Sequence, residues 1–181
     1  MKRQKEIQLD FEVDKLTNSI ENALSGEIFE TEVVRIASKD KKLIKASDFG
    51  FEWHKEFKDL SKEIYKLNTI NNPTILQGLI SISDRHDHIF MHLIESTKLN
   101  KGKEKLYKGV AGNLVAYACK ISFEKNYDGV VSFESKTKLI EHYQKTLGAK
   151  QFGRGNRMFI DTKEAFILVK QYFKNFIYGK L

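Results

Sequence analysis

The sequence predicts a mixed α/β sheet, and three observations carry that prediction. Three β-rich runs succeed one another between Glu63 and Glu95, so this part of the sheet is antiparallel. A glycine-bearing loop, a long apolar helix and another strand follow, which together form a β-α-β unit. With 41% hydrophobic and 30% charged residues among 181, the chain has the balance of a soluble globular protein able to bury one sizeable core.

Each element has a local reason. Phe11 to Leu24 reads as a helix, Glu32 to Ile36 as a strand, and Ser38 to Ala46 as a capped basic helix. The segment Phe49 to Phe57, with the single Trp53, reads as another helix packed on the sheet. Glu63–Ile70 (EIYKLNTI) is β-rich and Thr74–Ser83 (TILQGLISIS) is β-branched and apolar. Between them Asn71-Asn72-Pro73, with the only proline, is turn chemistry, so the three segments read as a hairpin. His88–Glu95 (HIFMHLIE) is apolar on both faces, as a central strand would be.

Leu114–Lys125 (LVAYACKISFEK) is apolar around most of a helical circumference and reads as a buried helix. Asn126-Tyr127-Asp128-Gly129 stops it, and Val130–Phe133 is a short strand. Ser135 or Thr137 caps a helix Lys138–Leu147 that ends at Gly148. Short β segments around Gln151-Phe152 and Arg157–Ile160 precede a closing amphipathic helix, Lys163 to about Phe176, capped by Asp161 or Thr162. The order is α-β-α-α-β-β-β-α-β-α-β-β-α. No repeat, linker or boundary divides it, so a single domain is expected over residues 1–181.

Charge and punctuation narrow the function. Lys and Arg number 31 against 24 Asp and Glu, a net charge of +7 that suits an anionic partner. Between Thr97 and Asn113 stand Lys98, Lys101, Lys103, Lys105 and Lys108 against one acid, Glu104, and the same segment holds Gly102, Gly109 and Gly112. One cysteine excludes an internal disulfide framework and a thiolate zinc cluster, and favours a reducing compartment. The first residues are not followed by an apolar signal core, and no run reaches membrane-spanning length, so a cytoplasmic location is expected.

The loop Lys108-Gly109-Val110-Ala111-Gly112-Asn113-Leu114 is the most informative stretch. Its small residues let backbone approach a ligand, and the following helix adds the positive end of its dipole, an arrangement suited to a pyrophosphate. No Gly-Lys-Ser/Thr follows, so it is not a Walker loop, and Gly153-x-Gly155 lacks the third glycine of a dinucleotide fingerprint.

At these residues the chain resembles the GNAT superfamily of acyl-CoA-dependent N-acetyltransferases. In that family's Q/R-x-x-G-x-G/A loop, Gly109 and Ala111 match the last two marked positions, while Leu106 stands at the first, flanked by Lys105 and Lys108. One strand later, Tyr143 precedes Leu147-Gly148 as a tyrosine precedes Leu-Gly-aromatic in such families, with one extra residue of spacing and Ala149 replacing the aromatic. Lys136 falls about where an asparagine often stands.

The resemblance spans roughly Glu63 to Ile160. It implies a mostly antiparallel sheet of about six to seven strands, splayed at the acyl-CoA site, with helices on both faces. It further implies acetyl transfer from acetyl-CoA to a primary amine by direct attack, with no metal. Leu93, Ile94 and Glu95 would offer strand backbone to the thioester. Gly109, Val110, Ala111, Gly112, Asn113 and Leu114 would hold the pyrophosphate, with Lys105, Lys108 and Lys136 nearby. Tyr143 would protonate the departing thiolate, and Glu95 or His92 would take the amine's proton. Residues 1–59 and the helix over 163–178 would shape the acceptor site. The expected partner is a small-molecule or peptide amine, with charged tRNA open, a homodimer allowed and no membrane involved.

Several residues have plainer readings. Tyr143 is also a natural core aromatic, and Glu95 also a strand end. His92 and Glu95 fall on opposite faces if their strand is regular. His86 and His88 belong to a polar turn, Asp84-Arg85-His86-Asp87-His88, and Cys119 to helix packing. Two other functions fit parts of the pattern: a GNAT-like domain that binds acyl-CoA without turnover, and a basic nucleic-acid-binding module. The latter would interleave its basic residues with exposed aromatics, whereas the aromatics here fall mostly at core positions.

Overall fold

A computed structural model describes residues 6–16 and 19–179, and its central feature is a seven-stranded sheet. In chain order the strands are β1 (Ile20–Asn22), β2 (Ile28–Phe29), β3 (Thr31–Arg35), β4 (Glu63–Thr69), β5 (Gly78–Asp84), β6 (Ile89–Ser96), β7 (Tyr107–Lys108), β8 (Val131–Glu134), β9 (Lys150–Gln151) and β10 (Arg157–Ile160). The helices are α1 (Trp53–Glu56), α2 (Val110–Glu124), α3 (Ile140–Leu147) and α4 (Thr162–Tyr172). The large sheet has the order β3-β4-β5-β6-β8-β10-β9 and is antiparallel except for β6 against β8. A second, three-stranded sheet, β2-β1-β7, lies at the glycine loop.

The expected mixed α/β architecture is present, with β6 at the centre of the sheet. On one face, Ile80, Ile82, Met91 and Ile94 share an apolar cluster with α2, α3 and α4. On the other, Leu79 and Leu93 pack with Trp53 of α1, Phe49 and Ile44. Gly148 ends α3 in the left-handed conformation at φ +64°, and the Asp161 side chain accepts from the Glu164 N–H to cap α4.

Several boundaries differ from expectation. The helix expected over Phe11–Leu24 is extended chain at 11–16 and strand at β1, while residues 17–18 lie outside the described residues. The reason is a period of two in Leu9-Asp10-Phe11-Glu12-Val13-Asp14: the apolar members are buried and the acids are not. Ser38–Ala46 forms only 3₁₀ turns, Ser38–Leu43 and Ala46–Asp48, because its lysine-rich run has no apolar stripe to bury. The Trp53 segment is helical for one turn only. α2 begins at Val110, four residues before the expected Leu114, and α4 stops at Tyr172. Neither Ser135 nor Thr137 caps α3; a 3₁₀ turn, Thr137–Leu139, leads into it, and Ser135 Oγ donates to the Lys136 carbonyl.

Two irregularities open the centre of the sheet. β6 and β8 pair only through Ile89–Val131, Phe90–Ser132 and Met91–Phe133. Beyond Met91, β6 continues to Ser96 against β5 alone, while β8 turns to another partner. The Leu9 N–H donates to the Glu134 carbonyl at 2.7 Å, and the Lys136 N–H donates to the Leu9 carbonyl at 3.2 Å. The second irregularity is a β-bulge: Ser81 faces Leu93 and Ile82 faces Met91, which leaves His92 as the extra residue.

Candidate active site

α2 opens on Gly109, whose φ of +88° is a conformation that glycine adopts without steric cost. Helix geometry leaves the N–H groups of Gly109, Val110, Ala111 and Gly112 outside the internal ladder. The Asn113 N–H already donates to the Gly109 carbonyl at 3.0 Å, and Leu114 lies further inside the helix. The N–H groups outside the helical ladder are therefore those of 109–112, and the expectation for Asn113 and Leu114 is corrected, because the helix begins earlier than its apolar run and uses their N–H groups internally. The Asn113 side chain donates to Thr31 Oγ1 at 2.8 Å, and Val110 and Leu114 press on Gly78, where a Cβ would meet them at 2.8 and 3.0 Å. Gly112 faces Tyr172 and Leu16, where a Cβ would lie 2.3 Å from the tyrosine oxygen, so it serves packing.

The groups around that helix start are engaged by one segment. Asp14 accepts the Gly109 N–H at 3.0 Å through one oxygen and pairs with Lys105 at 3.0 Å through the other. Lys136 is paired with Asp10. Tyr143, fully buried, donates its hydroxyl to the Phe11 carbonyl at 2.8 Å and accepts the Phe11 N–H at 3.1 Å. Its ring lies 4.9 Å from that of Phe11 and 5.4 Å from that of Phe133. Burial pushes the Tyr143 hydroxyl well above the usual phenol range, so it stays protonated. The neighbouring His142 accepts the Val13 N–H on Nε2 at 2.9 Å.

β6 supplies the opposite wall. A cavity of about 220 Å³ lies between Ile94, Glu95 and Ser96 on one side and Asp10, Phe11, Glu12 and Asp14 on the other, with Lys105 and Ala111 at its rim. Glu95 is 2% exposed and accepts four bonds: Gly50 N at 2.7 Å, Phe51 N at 3.2 Å, Trp53 Nε1 at 2.8 Å and Lys101 Nζ at 2.5 Å. Two carboxylate oxygens have about four lone-pair sites, and all are used, so this carboxylate ties the Gly50–Trp53 segment to β6.

The bulge corrects the expectation that His92 and Glu95 face opposite ways: an extra residue shifts the alternation, and both lie on the α1 face. His92 nevertheless belongs to a different cavity, about 330 Å³, with Ser83, Asp59, Lys62 and Arg85. Its Nε2 lies 2.7 Å from Ser83 Oγ. Burial first, then the charges of Lys62 and Arg85, holds its pKa down at about 4, so the ring is neutral near pH 7. Leu93 is a core residue of that same face. Lys108 sits on β7, half-buried, opposite Glu21. Cys119 is fully buried with its thiol pushed far up by burial, in keeping with packing. Among the described residues, no group of three or more His, Cys, Asp or Glu could hold a metal ion, and no helix is long and apolar enough to cross a membrane.

The structure thus gathers Ile94, Glu95, Lys105 and Ala111 on one cavity, connects Tyr143, Lys136 and Gly109 to it through residues 10–14, and leaves His92 apart. Sequence reasoning missed Asp10, Phe11 and Asp14. The signal for them was the strict alternation of apolar and acidic residues from Leu9 to Asp14.

No family model and no curated protein sequence matches the chain. Solved structures do. A KacTA–DNA complex is similar at a TM-score of 0.56 with 18% identity, over 77% of this chain and 98% of that one. AtaTR bound with AcCoA gives 0.55 with 16% identity, over 77% and 98%. Spermidine N-acetyltransferase from Vibrio cholerae, in complex with CoA and spermine, gives 0.52 with 15% identity, over 76% and 98%.

Proposed function

We propose that this chain, which has the GNAT fold, transfers an acetyl group from acetyl-CoA to a primary amine. The observation that carries the reading is the parting of β6 and β8 past Met91, with a cavity lined by Ile94, Lys105 and Ala111 of the α2 start, and with the Tyr143 hydroxyl bonded to the backbone of Phe11, another of its lining residues. Two of the similar structures hold AcCoA or CoA, and one of those is a spermidine N-acetyltransferase. Phosphate oxygens would accept from the backbone of residues 109–112, where the helix dipole and Lys105 favour negative charge. The open edge of β6 near Ile94 would align the thioester arm. The amine nitrogen then attacks the thioester carbonyl: the C–N bond forms, the C–S bond breaks, and the sulfur leaves with the proton of Tyr143.

The base is the open role. Glu95 has its lone pairs occupied, and His92 lines another cavity, so water is the acceptor of the amine's proton that agrees best with this geometry. The same facts favour a second reading, acyl-CoA binding without turnover. Thiol release from acetyl-CoA, followed over a panel of small amines, polyamines and peptide N-termini, separates the two. Release with at least one amine supports transfer; CoA binding by calorimetry with no release across the panel supports the second reading.

A further inference from the structure

Four groups that the acyl-CoA reading needs are already satisfied within the chain, and all by one short segment. The Gly109 N–H and the Lys105 ammonium both go to Asp14. The Lys136 ammonium goes to Asp10, and the Tyr143 hydroxyl is held on both its donor and acceptor sides by the backbone of Phe11. A carboxylate at a helix N-terminus beside a lysine presents the chemistry of a phosphate oxygen. An extended backbone passing beside β8 presents the amide pattern of a pantetheine arm.

The segment is fixed at both ends. Leu9 is 1% exposed and bridged to Ser135, and the Leu16 carbonyl accepts from Gln171 Nε2 at 2.7 Å. Between these anchors Asp10, Phe11, Glu12 and Asp14 line the cavity against β6, while the side chains of Phe11 and Val13 also belong to the core.

We propose that Asp10–Asp14 is an internal competitor of acyl-CoA, a strap that closes the cleft in the free protein and must swing out between Leu9 and Leu16 before the ligand binds. The proposal rests on the acyl-CoA reading above. A ligand that binds only the open form has its apparent affinity reduced by the open fraction. Loosening the strap therefore tightens binding, the reverse of what losing a binding residue does.

The test is calorimetry of the full-length chain with CoA, comparing wild type, Asp14→Asn and Phe11→Ala. It is paired with hydrogen exchange of the wild type with and without CoA. Asp14→Asn removes the charge that holds Gly109 and Lys105 while leaving the core untouched, which keeps the test open if Phe11→Ala is poorly folded. The strap predicts CoA binding at least about tenfold tighter in Asp14→Asn. It also predicts that the amides of Phe11 and Val13 lose protection when CoA is added, while that of Gly109 keeps it. CoA binding that is detectable only in the variants supports the strap. Equal or weaker binding in Asp14→Asn, or unchanged protection of Phe11 and Val13 at saturation, overturns it and leaves the acyl-CoA reading standing. CoA binding to none of the three proteins overturns both.

Discussion

At the scale of single residues, burial decides more than residue type. His92 is a histidine in a cavity lined by Lys62 and Arg85, and protonating it is resisted by burial and by both cations. Its pKa, ordinarily 6.5, is held at about 4 in the folded chain, so the unfolded chain binds the extra proton first. The sign follows: this contribution to stability is complete above pH 6.5 and is lost as the pH falls through that window to about 4. Urea midpoints measured from pH 7 to pH 4 should fall less steeply for His92→Gln than for the wild type. Tyr143 obeys the same logic with a hydroxyl. Tyr143→Phe keeps the ring but strands a buried N–H and a buried carbonyl of Phe11, at a cost of about 1–3 kcal/mol by denaturant unfolding. If Tyr143 is also the general acid, kcat falls at least about tenfold in the folded variant. Loss of stability with wild-type kcat would leave it as the strap's anchor alone.

At the scale of elements, the strands from β4 to β6 were legible because their β-rich, largely apolar runs agree with burial on both faces. The N-terminal elements were not: the short 3₁₀ turns have no periodic stripe of their own, and the strap's period of two runs for only six residues, Leu9 to Asp14, and overlaps the start of a segment that reads as a helix. The start of α2 was misplaced for a related reason. Its first turn, Val110-Ala111-Gly112, has a β-branched residue and a glycine that weaken a helical pattern, yet it packs on Gly78 and Tyr172. That geometry also determines how the pyrophosphate placement is best tested. Any side chain at Gly109 pays the left-handed penalty of about 1–2 kcal/mol, so Gly109→Val confounds binding with helix strain. Ala111→Val adds bulk at the cavity rim without a positive φ. We expect it to weaken CoA binding severalfold in calorimetry; Ala111 is 3% exposed, so the added methyl groups also cost about 1–3 kcal/mol of stability and binding is compared in the folded variant, where unchanged affinity would move the phosphates elsewhere.

At the scale of the whole molecule, the sheet is two halves joined by a short seam. β3 to β6 form one half and β8, β10 and β9 the other, and only residues 89–91 and 131–133 pair across the join. The bulge at His92 and the divergence of β8 are invisible in sequence, because neither changes which residues are apolar; they change only where successive side chains point. What spans the gap beyond Met91 is the segment from Leu9 to Val13, whose apolar side chains belong to the cluster shared by α2, α3 and β8. Leu9 is therefore a structural link between the halves as well as one anchor of the strap. Leu9→Ala deletes a side chain 1% exposed and should cost about 2–5 kcal/mol, the range for a core leucine. Leu60→Ala, at 97% exposure, removes the same atoms from solvent and should change stability by less than about 0.5 kcal/mol. Hydrogen exchange adds the spatial test. If the seam is the weak line, Leu9→Ala lowers protection in β8 and β10 more than in β4 and β5, because the smaller half has lost its link while the larger keeps its own ladders. Uniform loss of protection across all seven strands would mean that the sheet opens as one unit and that Leu9 is an ordinary core position.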